Sequence, residues 1–420
     1  MKLKPGWRHV KLSDIAKIKS GSTPLRAEGE RYFSTAGTPW VKTLDLNNGE
    51  IISTDEKITD TALLETSCSV FPVGTVLVAM YGGFNQIGRT GLLTIPAAIN
   101  QALSGLILDR DKAEPAYILN YLNGNVKLWK KFAASSRKDP NITRDDVCGF
   151  PVLLPPLAEQ KKIAKILSTW DNAISVTEKL LANSQRQKKA LMQQLLTGKK
   201  RLGLPDGSYE FRITHYGLIP KDWGYPAIKE ICTQVSEKNS AAVDHPVLSC
   251  SKYDGFVDSL KYFKKKVYSD DLSGYRVIHR GCFGFPSNHI EEGSIGLQNL
   301  YEIGIVSPIY VVFRASPTRV DNSYLYAVLK TDHYKQIFGA ATNASVDRRG
   351  SLRWKEFNQI HVPLPPLKEQ QKIAAVLSVA DAEISTLEKK LACLRDEKKA
   401  LMQQLLTGKR RVKVDEAVAE

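Results

Sequence analysis

The chain has 420 residues, of which 43% are hydrophobic and 25% charged, and its 59 Lys and Arg side chains outnumber 44 Asp and Glu side chains, giving a formal net charge of +15. The length favours two domains over a single core, and the positive excess favours a polyanionic partner such as nucleic acid. No apolar run approaches the roughly 18 residues that span a bilayer, and the first ten residues contain no apolar signal core, so we expect a cytoplasmic protein without a membrane segment.

The first region, residues 1–154, mixes strand and helix signals. Short apolar runs broken by Gly and Pro predict strands within residues 37–41, 73–80 and 91–95. Residues 117–132 have the apolar spacing of one helix. The six cysteines in the chain are scattered without a Cys-x-x-Cys pair, which indicates reduced thiols rather than a disulfide framework or a metal site.

Residues 155–199 predict a helix about 60 Å long, at ~1.5 Å per residue. Pro155-Pro156 marks the start of the helix and Gly198 its end, because proline is common in the first turn of a helix and glycine just after the last turn. The segment recurs without a gap at 365–409, and 29 of 45 positions are identical. A repeat of this length defines the organisation of the chain.

Residues 200–364 form a second globular region that resembles the first only faintly, and residues 410–420 are expected to be a loose tail. The interpretation is an α+β protein with a pseudo-two-fold internal repeat, in which two globular domains (1–154 and 200–364) are separated by two long helices (155–199 and 365–409).

Each long helix carries an apolar seam whose steps alternate between four and three residues, which is the heptad pattern of a coiled coil. The seam positions of the two copies are Ile163, Leu167, Trp170, Ile174, Thr177, Leu181, Ser184, Lys188, Leu191 and Leu195, and Ile373, Leu377, Ala380, Ile384, Leu387, Leu391, Leu394, Lys398, Leu401 and Leu405. We expect the copies to pair with each other in an antiparallel coiled coil, with the domains at opposite ends of a rod. The symmetric register places Lys398 beside Trp170 in a cation–π contact, and Lys188 beside Ala380.

The repeat also includes positions outside the seam. A seam needs only its apolar positions matched, so identical outer faces indicate one kind of partner docking twice. The candidate docking residues are Lys189, Met192, Gln193, Gln194, Met402, Gln403 and Gln404.

Polar, basic and aromatic residues in Gly- and Asn-rich loops are the candidate DNA contacts, since Arg pairs with guanine, Asn and Gln with adenine, and basic groups with phosphate. In the first domain these are Lys42, Tyr81, Asn85, Gln86, Arg89, Arg137, Lys138 and Arg144. In the second domain they are Lys252, Tyr253, Lys264, Lys265, Lys266, Asn288, His289, Asn343, Arg348, Arg349 and Arg353.

Catalytic motifs are missing from the sequence. It contains no phosphate-binding G-x-x-x-x-G-K-[ST] loop and no Asp- or Asn-Pro-Pro-aromatic tetrapeptide of an amino-methyltransferase. Asp55-Glu56-Lys57 and Glu397-x-Lys399 superficially suit a metal-dependent nuclease, but such short patterns arise by chance in a charged chain. The histidines show no ligand spacing; His289-Ile290-Glu291-Glu292 comes nearest, and we assign no metal and no cofactor.

Two twin blocks carry a resemblance to a known family. They are Leu-Pro-Pro-Leu-x-Glu-Gln-x-x-Ile-Ala-x-x-Leu-Ser and Lys-Lys-Ala-Leu-Met-Gln-Gln-Leu-Leu-Thr-Gly-Lys. Together with residues 96–103 they resemble the specificity subunit of type I restriction–modification systems. The second domain departs from the pattern of residues 96–103, where it has Val306-Ser307-Pro308.

The resemblance implies two target-recognition domains that read a bipartite, asymmetric site on double-stranded DNA. It also implies a helical spacer that docks two methyltransferase subunits, which bring S-adenosylmethionine chemistry, and motor-nuclease subunits that add ATP-driven cleavage. The chain itself is then a non-catalytic reader. The alternatives are a stand-alone nuclease or methyltransferase with a degenerate site, and a coiled-coil assembly protein without DNA specificity.

Overall fold

A computed structural model describes residues 4–133, 141–205, 207–241, 243–342 and 351–414. The chain divides into two compact units. The first comprises Met1–Lys179 with Lys389–Glu420, and the second comprises Leu180–Glu388. The second unit is one continuous segment and the first is made of two, and each contains one globular domain, part of the helix that follows the first domain and part of the helix that follows the second.

The first domain mixes short strands and helices, as the sequence predicts. Its strands are β1 (Arg8–Lys11), β2 (Ala16–Ser20), β3 (Phe33–Ser34), β4 (Thr38–Val41), β5 (Glu50–Ile51), β6 (Glu56–Ile58), β7 (Val76–Ala79), β8 (Thr90–Leu93), β9 (Ala98–Ile99), β10 (Leu103–Leu108) and β11 (Pro151–Leu154). Its helices are α1 (Leu12–Ile15), α2 (Asp60–Glu65), α3 (Pro115–Gly124), α4 (Val126–Ala133) and α5 (Arg144–Gly149), and α6 (Leu157–Leu195) follows.

A five-stranded sheet in the order β2-β10-β7-β8-β5 forms the centre of this domain, beside a four-stranded sheet in the order β3-β6-β4-β9. β7 is buried along its whole length, so its continuous apolar run Val-Leu-Val-Ala suits a strand covered on both faces. The N-terminal strand β1 pairs with β11, the strand that leads directly into α6.

The predicted single helix over residues 117–132 is wrong in one respect, because two helices meet at Asn125. This residue leaves helical geometry at φ −117° and ψ 24°. Its side-chain amide donates to the Tyr121 carbonyl at 2.8 Å. This hydrogen bond satisfies a carbonyl in the last turn of α3, and α4 begins at the next residue. Apolar periodicity alone cannot register such a break, since both helices bury their apolar faces.

The second domain repeats this plan with different strands and loops. Its strands are β12 (Phe211–Thr214), β13 (Gly217–Pro220), β14 (Cys232–Val235), β15 (Leu248–Ser251), β16 (Gly255–Asp258), β17 (Arg276–His279), β18 (Phe283–Pro286), β19 (Gly296–Leu297), β20 (Ile303–Val306) and β21 (Tyr310–Ala315). Its helices are α7 (Ile228–Ile231), α8 (Ser259–Phe263), α9 (Asn322–Leu329), α10 (Asp332–Ala341) and α11 (Trp354–Phe357), and α12 (Leu367–Leu405) follows.

The central sheet of this domain has four strands in the order β14-β21-β18-β19. Here β21 lies between β14 and β18 as β10 lies between β2 and β7 in the first domain. The remaining strands form the pairs β12-β13, β15-β16 and β17-β20. The shared core topology and the differing additional strands account for the faint sequence similarity of the two domains.

The two long helices run antiparallel in both units, as their seams predict. In the first unit, Lys398 Nζ donates to Asp171 Oδ1 at 2.5 Å and Arg395 Nη2 to Glu178 Oε1 at 2.6 Å. In the second unit, Ser184 Oγ donates to Glu383 Oε1 at 2.9 Å. All predicted seam residues are buried or half-buried, and they include the polar Thr177 and Ser184. The Thr177 hydroxyl is satisfied by the Ala173 carbonyl at 2.8 Å.

The predicted register is close to the observed one, but the predicted cation–π contact is wrong. Lys398 bonds to Asp171, the neighbour of Trp170, and Lys188 bonds to Asp381, the neighbour of Ala380. No cation–ring contact joins Lys398 to Trp170 in the described part of the chain. A carboxylate offers the ammonium group a charge-assisted hydrogen bond, which is stronger than the attraction of a ring at a partly exposed site.

Candidate nucleic-acid interface and the contacts that support it

A compact loop between β7 and β8 carries four of the candidate contacts of the first domain. Gly82, Gly83 and Gly88 have φ of +111°, +78° and +76°, which L side chains rarely adopt. A Cβ on Gly88 would fall 2.5 Å from the Trp129 ring. The glycines therefore let this loop fold back on itself against a buried tryptophan.

The side chains of this loop differ in their exposure to solvent. Tyr81 is 44% exposed and Asn85 is exposed, so both present polar atoms to solvent. Gln86 and Arg89 are half-buried. The Gln86 Oε1 atom is shielded from solvent and has no hydrogen-bond partner among the described residues.

Two further candidates of the first domain, Lys42 and Arg144, are held in place by other residues. Lys42 is half-buried, and its Nζ donates to Glu56 Oε1 at 2.6 Å, so its charge is already paired. Arg144 is exposed, although its Nη2 donates to the Ile18 carbonyl at 3.2 Å. Arg137 and Lys138, together with Asn343, Arg348 and Arg349 of the second domain, lie outside the described residues.

The contacts of Glu56 also show what the nuclease-like pattern at residues 55–57 does in the folded chain. Its carboxylate accepts from Arg26 Nη1 at 2.6 Å and from Lys42. The Arg26 hydrogen bond, followed by that of Lys42, lowers the Glu56 pKa below its usual value. A carboxylate committed to two cations serves the packing of the β3-β6-β4-β9 sheet, so this pattern is structural.

Two candidate segments of the second domain are joined through Asp254. The β15–β16 turn presents Lys252 and Tyr253, and Tyr253 is 82% exposed. Asp254 Oδ2 accepts from Ser251 Oγ at 3.1 Å and from Tyr262 Oη at 3.0 Å. The turn is therefore tied to α8, which leads directly into the lysine run 264–266.

The lysine run begins where α8 ends. Lys264 has the left-handed φ of +54° and caps the helix, and Lys264, Lys265 and Lys266 are all exposed. Lys266 forms an ion pair with Asp270. Tyr262 and Phe263, which sequence reasoning missed, are 48% and 42% exposed beside this run. Exposed aromatic rings next to lysines are a feature of nucleic-acid-binding surfaces, and the sequence signal was the run Tyr-Phe-Lys-Lys-Lys itself.

The third group of candidates in this domain consists of Asn288, His289 and Arg353. Asn288 and His289 are half-buried and Arg353 is exposed. The possible ligand atoms of His289, Glu291 and Glu292 lie within 4.8 Å of one another, and His289 Nδ1 is 3.5 Å from Glu292 Oε1. The geometry brings these three groups together, and the contact between His289 and Glu292 is sufficient to explain it.

The Glu-Gln pair of the first twin block lies at the start of each long helix, and its glutamine is fully buried in both copies. Gln160 Oε1 accepts from the Glu114 amide at 2.9 Å, while its Nε2 donates to the carbonyls of Lys112 at 3.0 Å and Pro155 at 2.9 Å. Two of these hydrogen bonds hold the start of α6 to the segment that leads into α3, and the third satisfies the Pro155 carbonyl just before α6.

Gln370 repeats these contacts in the second unit. Its Oε1 accepts from the Asp321 amide at 2.8 Å, and its Nε2 donates to the carbonyls of Arg319 at 2.9 Å and Pro365 at 2.8 Å. The repeated glutamine thus maintains the joint between domain and helix.

The glutamate of the same block is buried and bound by an arginine from the segment after the other helix. In the first unit, Glu159 accepts from Arg411 Nε at 2.9 Å and Nη2 at 2.8 Å, and from Trp7 Nε1 at 3.0 Å. Arg411 Nη1 also donates to the Pro5 carbonyl at 3.2 Å. Arg411 was expected in a loose tail, and that expectation is wrong for this residue, because its guanidinium binds a buried carboxylate.

The second unit contains the equivalent pair with an additional carboxylate. Arg201 donates to Glu369 at 2.5 and 2.7 Å and to Asp222 at 2.9 and 2.9 Å. Burial lowers the pKa of Arg201, but the hydrogen bonds to both carboxylates outweigh burial and raise it overall. The Arg201 hydrogen bond in turn lowers the pKa of Asp222. We call the Arg411–Glu159 pair the first clasp and the group formed by Arg201, Glu369 and Asp222 the second clasp. The sequence did not predict either clasp, although Glu369 and Arg411 lie 210 residues after Glu159 and Arg201, which is the offset of the repeat.

The ends of the long helices pack on the globular domains. Leu195 and Leu196 are buried in the core of the second domain, and Leu405 and Leu406 in the core of the first. Met192 and Met402 pack half-buried against the same cores. Most of the identity in the second twin block is therefore explained by intramolecular packing. The docking candidates that remain exposed are Lys189, Gln193, Gln194, Gln403 and Gln404.

Comparisons with known proteins identify the family. The family model for the type I restriction modification DNA specificity domain matches residues 4–183 and 220–394. The chain belongs to this family. As a specificity subunit it recognises DNA and is not itself the catalytic component. The first matched segment contains the first globular domain and part of α6, and the second contains the second globular domain from residue 220 onwards and part of α12.

Named relatives agree with this assignment. The chain is 27% identical over 434 residues to the type I restriction enzyme MjaVIII specificity subunit of Methanocaldococcus jannaschii, covering 97% of this chain and 93% of the relative. It is 23% identical over 415 residues to the EcoKI specificity subunit of Escherichia coli, covering 93% and 85%.

Solved structures show the same fold. The S subunit of a type I restriction–modification system from M. genitalium aligns with a TM-score of 0.59 and 16% identity, covering 96% of this chain and 98% of that one. A chain from a structural study of complex assembly and conformational transition of the type I system aligns with a TM-score of 0.54 and 17% identity, covering 98% and 100%.

Two further features of the specificity subunit concern its thiols and helices. All six cysteines are free. In the part of the chain that the structure describes, no helix is both long and apolar enough to cross a bilayer.

Proposed function

We propose that this specificity subunit reads a bipartite, asymmetric DNA site, with each globular domain recognising one half. The observation that carries the proposal is the duplication itself. Two domains with one core topology present different loops: the first offers the glycine-rich loop at residues 81–89, and the second offers the β15–β16 turn and the lysine run. Different loops on a shared frame are suited to reading different sequences.

Affinity and sequence discrimination arise from different side chains in this proposal. The exposed Lys265 and Arg353 supply attraction to phosphates, in keeping with the net charge of +15. Asn85 and Gln86 carry amide groups that match the edge of adenine, and Arg89 matches guanine. Lys42 takes a smaller part because Glu56 already pairs its charge.

The helices α6 and α12 act as the spacer between the half-sites and as the docking surface for two methyltransferase subunits. Exposed residues that are identical in the two copies support the docking role: Gln193 and Gln194 on α6 match Gln403 and Gln404 on α12, and all four are exposed. None of them lies in the seam, so the pairing of the two helices does not require them. S-adenosylmethionine chemistry, and ATP-driven cleavage by motor-nuclease subunits, then come from the partners.

The test is the methylated motif of a host that carries this gene together with its methyltransferase gene, compared with a host in which only this gene is deleted. The expected result is a split motif with two different half-sites and a fixed unread spacer, lost in the deletion. A continuous or palindromic motif would contradict reading by two different domains.

A second test separates a reader from an enzyme. The purified chain alone, incubated with DNA and Mg²⁺ or with S-adenosylmethionine, is expected to show neither cleavage nor methyl transfer. Robust activity of the isolated chain would overturn the proposal in favour of a stand-alone enzyme. Binding that never discriminates sequences, even with the methyltransferase present, would favour a plain assembly protein.

A further inference from the structure

Two side chains, Asn123 and Lys330, occupy equivalent places at the ends of α3 and α9. The equivalence of the helices follows from Tyr117 and Tyr324, whose hydroxyls donate to the carbonyls of the segments leading into α6 and α12, at 2.7 and 3.0 Å. Counting six residues from each tyrosine reaches Asn123 in one domain and Lys330 in the other. Although their chemistry differs, both side chains point back into their own domain and bind loop backbone.

Lys330 joins two candidate DNA-binding segments of the second domain. Its Nζ donates to the Lys252 carbonyl at 2.8 Å and to the Gly293 carbonyl at 2.9 Å. Lys252 lies in the β15–β16 turn beside the exposed Tyr253, and Gly293 ends the segment that begins with His289. A single ammonium group thus fixes the separation of two loops.

The surroundings of Lys330 favour this structural use of its charge. The side chain is half-buried, and burial lowers the pKa of its ammonium group. A phosphate-binding lysine is normally exposed, with its donors facing solvent. Lys330 instead donates two of its three possible hydrogen bonds to backbone carbonyls of its own domain.

Asn123 plays the same part in the first domain with an amide. Its Nδ2 donates to the Asn48 carbonyl at 2.8 Å, and its Oδ1 accepts from the buried Thr90 hydroxyl at 2.6 Å. Asn48 has the left-handed φ of +61° and accepts from the Thr90 amide on its own Oδ1 at 3.1 Å. Thr90 is the residue that follows the loop at 81–89, so Asn123 secures the base of that loop.

We propose that Asn123 and Lys330 are positioning residues that set the geometry of the recognition loops, each for its own half-site. This inference rests on the proposed function and names the residues that give each domain its specificity without touching DNA. Removing either side chain leaves the fold and the other domain intact, and it loosens the loops of one domain only.

The experiment uses the full chain in complex with its methyltransferase and three duplexes: the intact methylated motif, the motif with the first half-site scrambled, and the motif with the second half-site scrambled. Lys330→Met removes the donors while keeping most of the side-chain length. We expect its affinity for the intact duplex to fall about tenfold, the scale of one lost base-pair readout. On the duplex with the second half-site scrambled, the variant and the wild type bind equally.

Three controls make the outcome specific. Lys229→Met removes the same charge from an exposed lysine of the same domain, whose Nζ donates to Gln359 Oε1 at 2.9 Å, and it is expected to bind all duplexes like the wild type. Asn123→Leu is expected to show the reciprocal pattern, with its loss confined to the first half-site. Lys330→Arg, which keeps the charge and the donors, recovers part of the affinity.

The salt dependence of binding separates positioning from direct contact. Loss of a phosphate contact lowers the salt slope by about one. An unchanged slope is expected for Lys330→Met. A lowered slope with equal loss on all three duplexes, or no loss at all, overturns the positioning role. If the wild-type complex itself fails to distinguish the three duplexes, then the proposed bipartite reading fails and not the inference about these two residues.

Discussion

Arg411 donates from its Nε and Nη2 atoms to the two carboxylate oxygens of Glu159, at 2.9 and 2.8 Å, although 252 positions separate the two residues in the chain. The same pair occurs in the second unit as Arg201 and Glu369. Each pair joins the segment after one long helix to the first turn of the other. The two copies of the repeat therefore share the contacts between helix start and neighbouring segment, as well as the apolar positions that pair the helices.

The two clasps are expected to differ in strength. The Arg201 side chain is only 4% exposed, and Arg201→Met leaves the carboxylates of Glu369 and Asp222 without this partner. We expect the substitution to lower the free energy of unfolding by about 3–5 kcal/mol. Arg411→Met costs less, about 1–3 kcal/mol, because it leaves one carboxylate rather than two and Trp7 Nε1 still donates to Glu159. Urea unfolding measures both, with the exposed neighbour Arg410→Met as the control. Equal losses for the two variants would contradict this difference in partners.

The buried glutamines are expected to tolerate no change of chemistry. Gln370→Glu replaces an amide donor with a carboxylate oxygen opposite the carbonyls of Arg319 and Pro365, so we expect a loss of about 3 kcal/mol. Gln371→Glu makes the same substitution at the next, exposed position and is expected to be nearly neutral. Thermal unfolding compares the two. A Gln370→Glu variant as stable as Gln371→Glu would show that water reaches this joint.

Three glycines with positive φ allow backbone strain to be distinguished from side-chain crowding. Gly198 and Gly408 follow the ends of α6 and α12, Gly207 lies in a loop, and their φ values are +69°, +67° and +78°. A Cβ on Gly198 would fall 2.4 Å from Pro220, one on Gly408 would fall 3.4 Å from Trp7, and one on Gly207 would meet nothing within 4 Å.

We therefore expect Gly207→Ala and Gly408→Ala each to cost about 1 kcal/mol, which is the backbone cost alone. Gly198→Ala is expected to cost about 2–4 kcal/mol because crowding is added. Chemical unfolding of the three variants gives the comparison, and a reversed order of Gly198 and Gly408 would be inconsistent with the close approach of Pro220.

Acid is expected to weaken the second clasp through Asp222. Because the Arg201 hydrogen bond lowers the Asp222 pKa, the stabilisation by Asp222 is complete above its unfolded pKa of about 3.9 and is lost as the pH falls through the lowered folded value. The difference in free energy of unfolding between wild type and Asp222→Asn should be constant from pH 6 to about pH 5 and shrink towards pH 3. A difference that does not change with pH would mean that Arg201 holds the neutral amide equally well.

The spacer role predicts a measurable change in the DNA site. Insertion of one heptad into each long helix, between residues 179 and 180 and between residues 388 and 389, keeps both seams in phase and adds ~10 Å of helix. We expect the unread spacer of the methylated motif to lengthen by about three base pairs, at ~3.4 Å each, with both half-sites unchanged. Insertion into α6 alone is the control and is expected to destabilise the protein. An unaltered motif in the double-insertion variant would exclude the helices as the determinant of spacing.

Much of this fold was predictable because its largest elements have strong periodic signals. The heptad steps from Ile163 to Leu195 predicted a long helix and an antiparallel partner, and both are observed. The joints were not predictable, since Gln160 bonds to Lys112 and Glu114, which are 48 and 46 positions away. Periodicity describes one element at a time and contains no information about which distant backbone groups need a partner.

The candidate DNA contacts were less predictable for a different reason. Lys42 and Lys265 are both loop lysines in sequence terms, yet Glu56 pairs the first and solvent surrounds the second. The chemistry of a loop side chain suits DNA, water or a nearby carboxylate equally well. Only the folded position decides among them, and the positioning residues Asn123 and Lys330 carry no sequence signal at all, because one is an amide and the other an amine.

The exchange of helix segments between the two units has a consequence for how such a protein can evolve. Lengthening α6 alone would draw either Glu159 away from Arg411 or Arg201 away from Glu369, so we expect a tolerated change of length in α6 to require a matching change in α12. Loops inside a domain take no part in these two pairs. The gapless alignment of the twin helices, beside domains that resemble each other only faintly, fits that expectation.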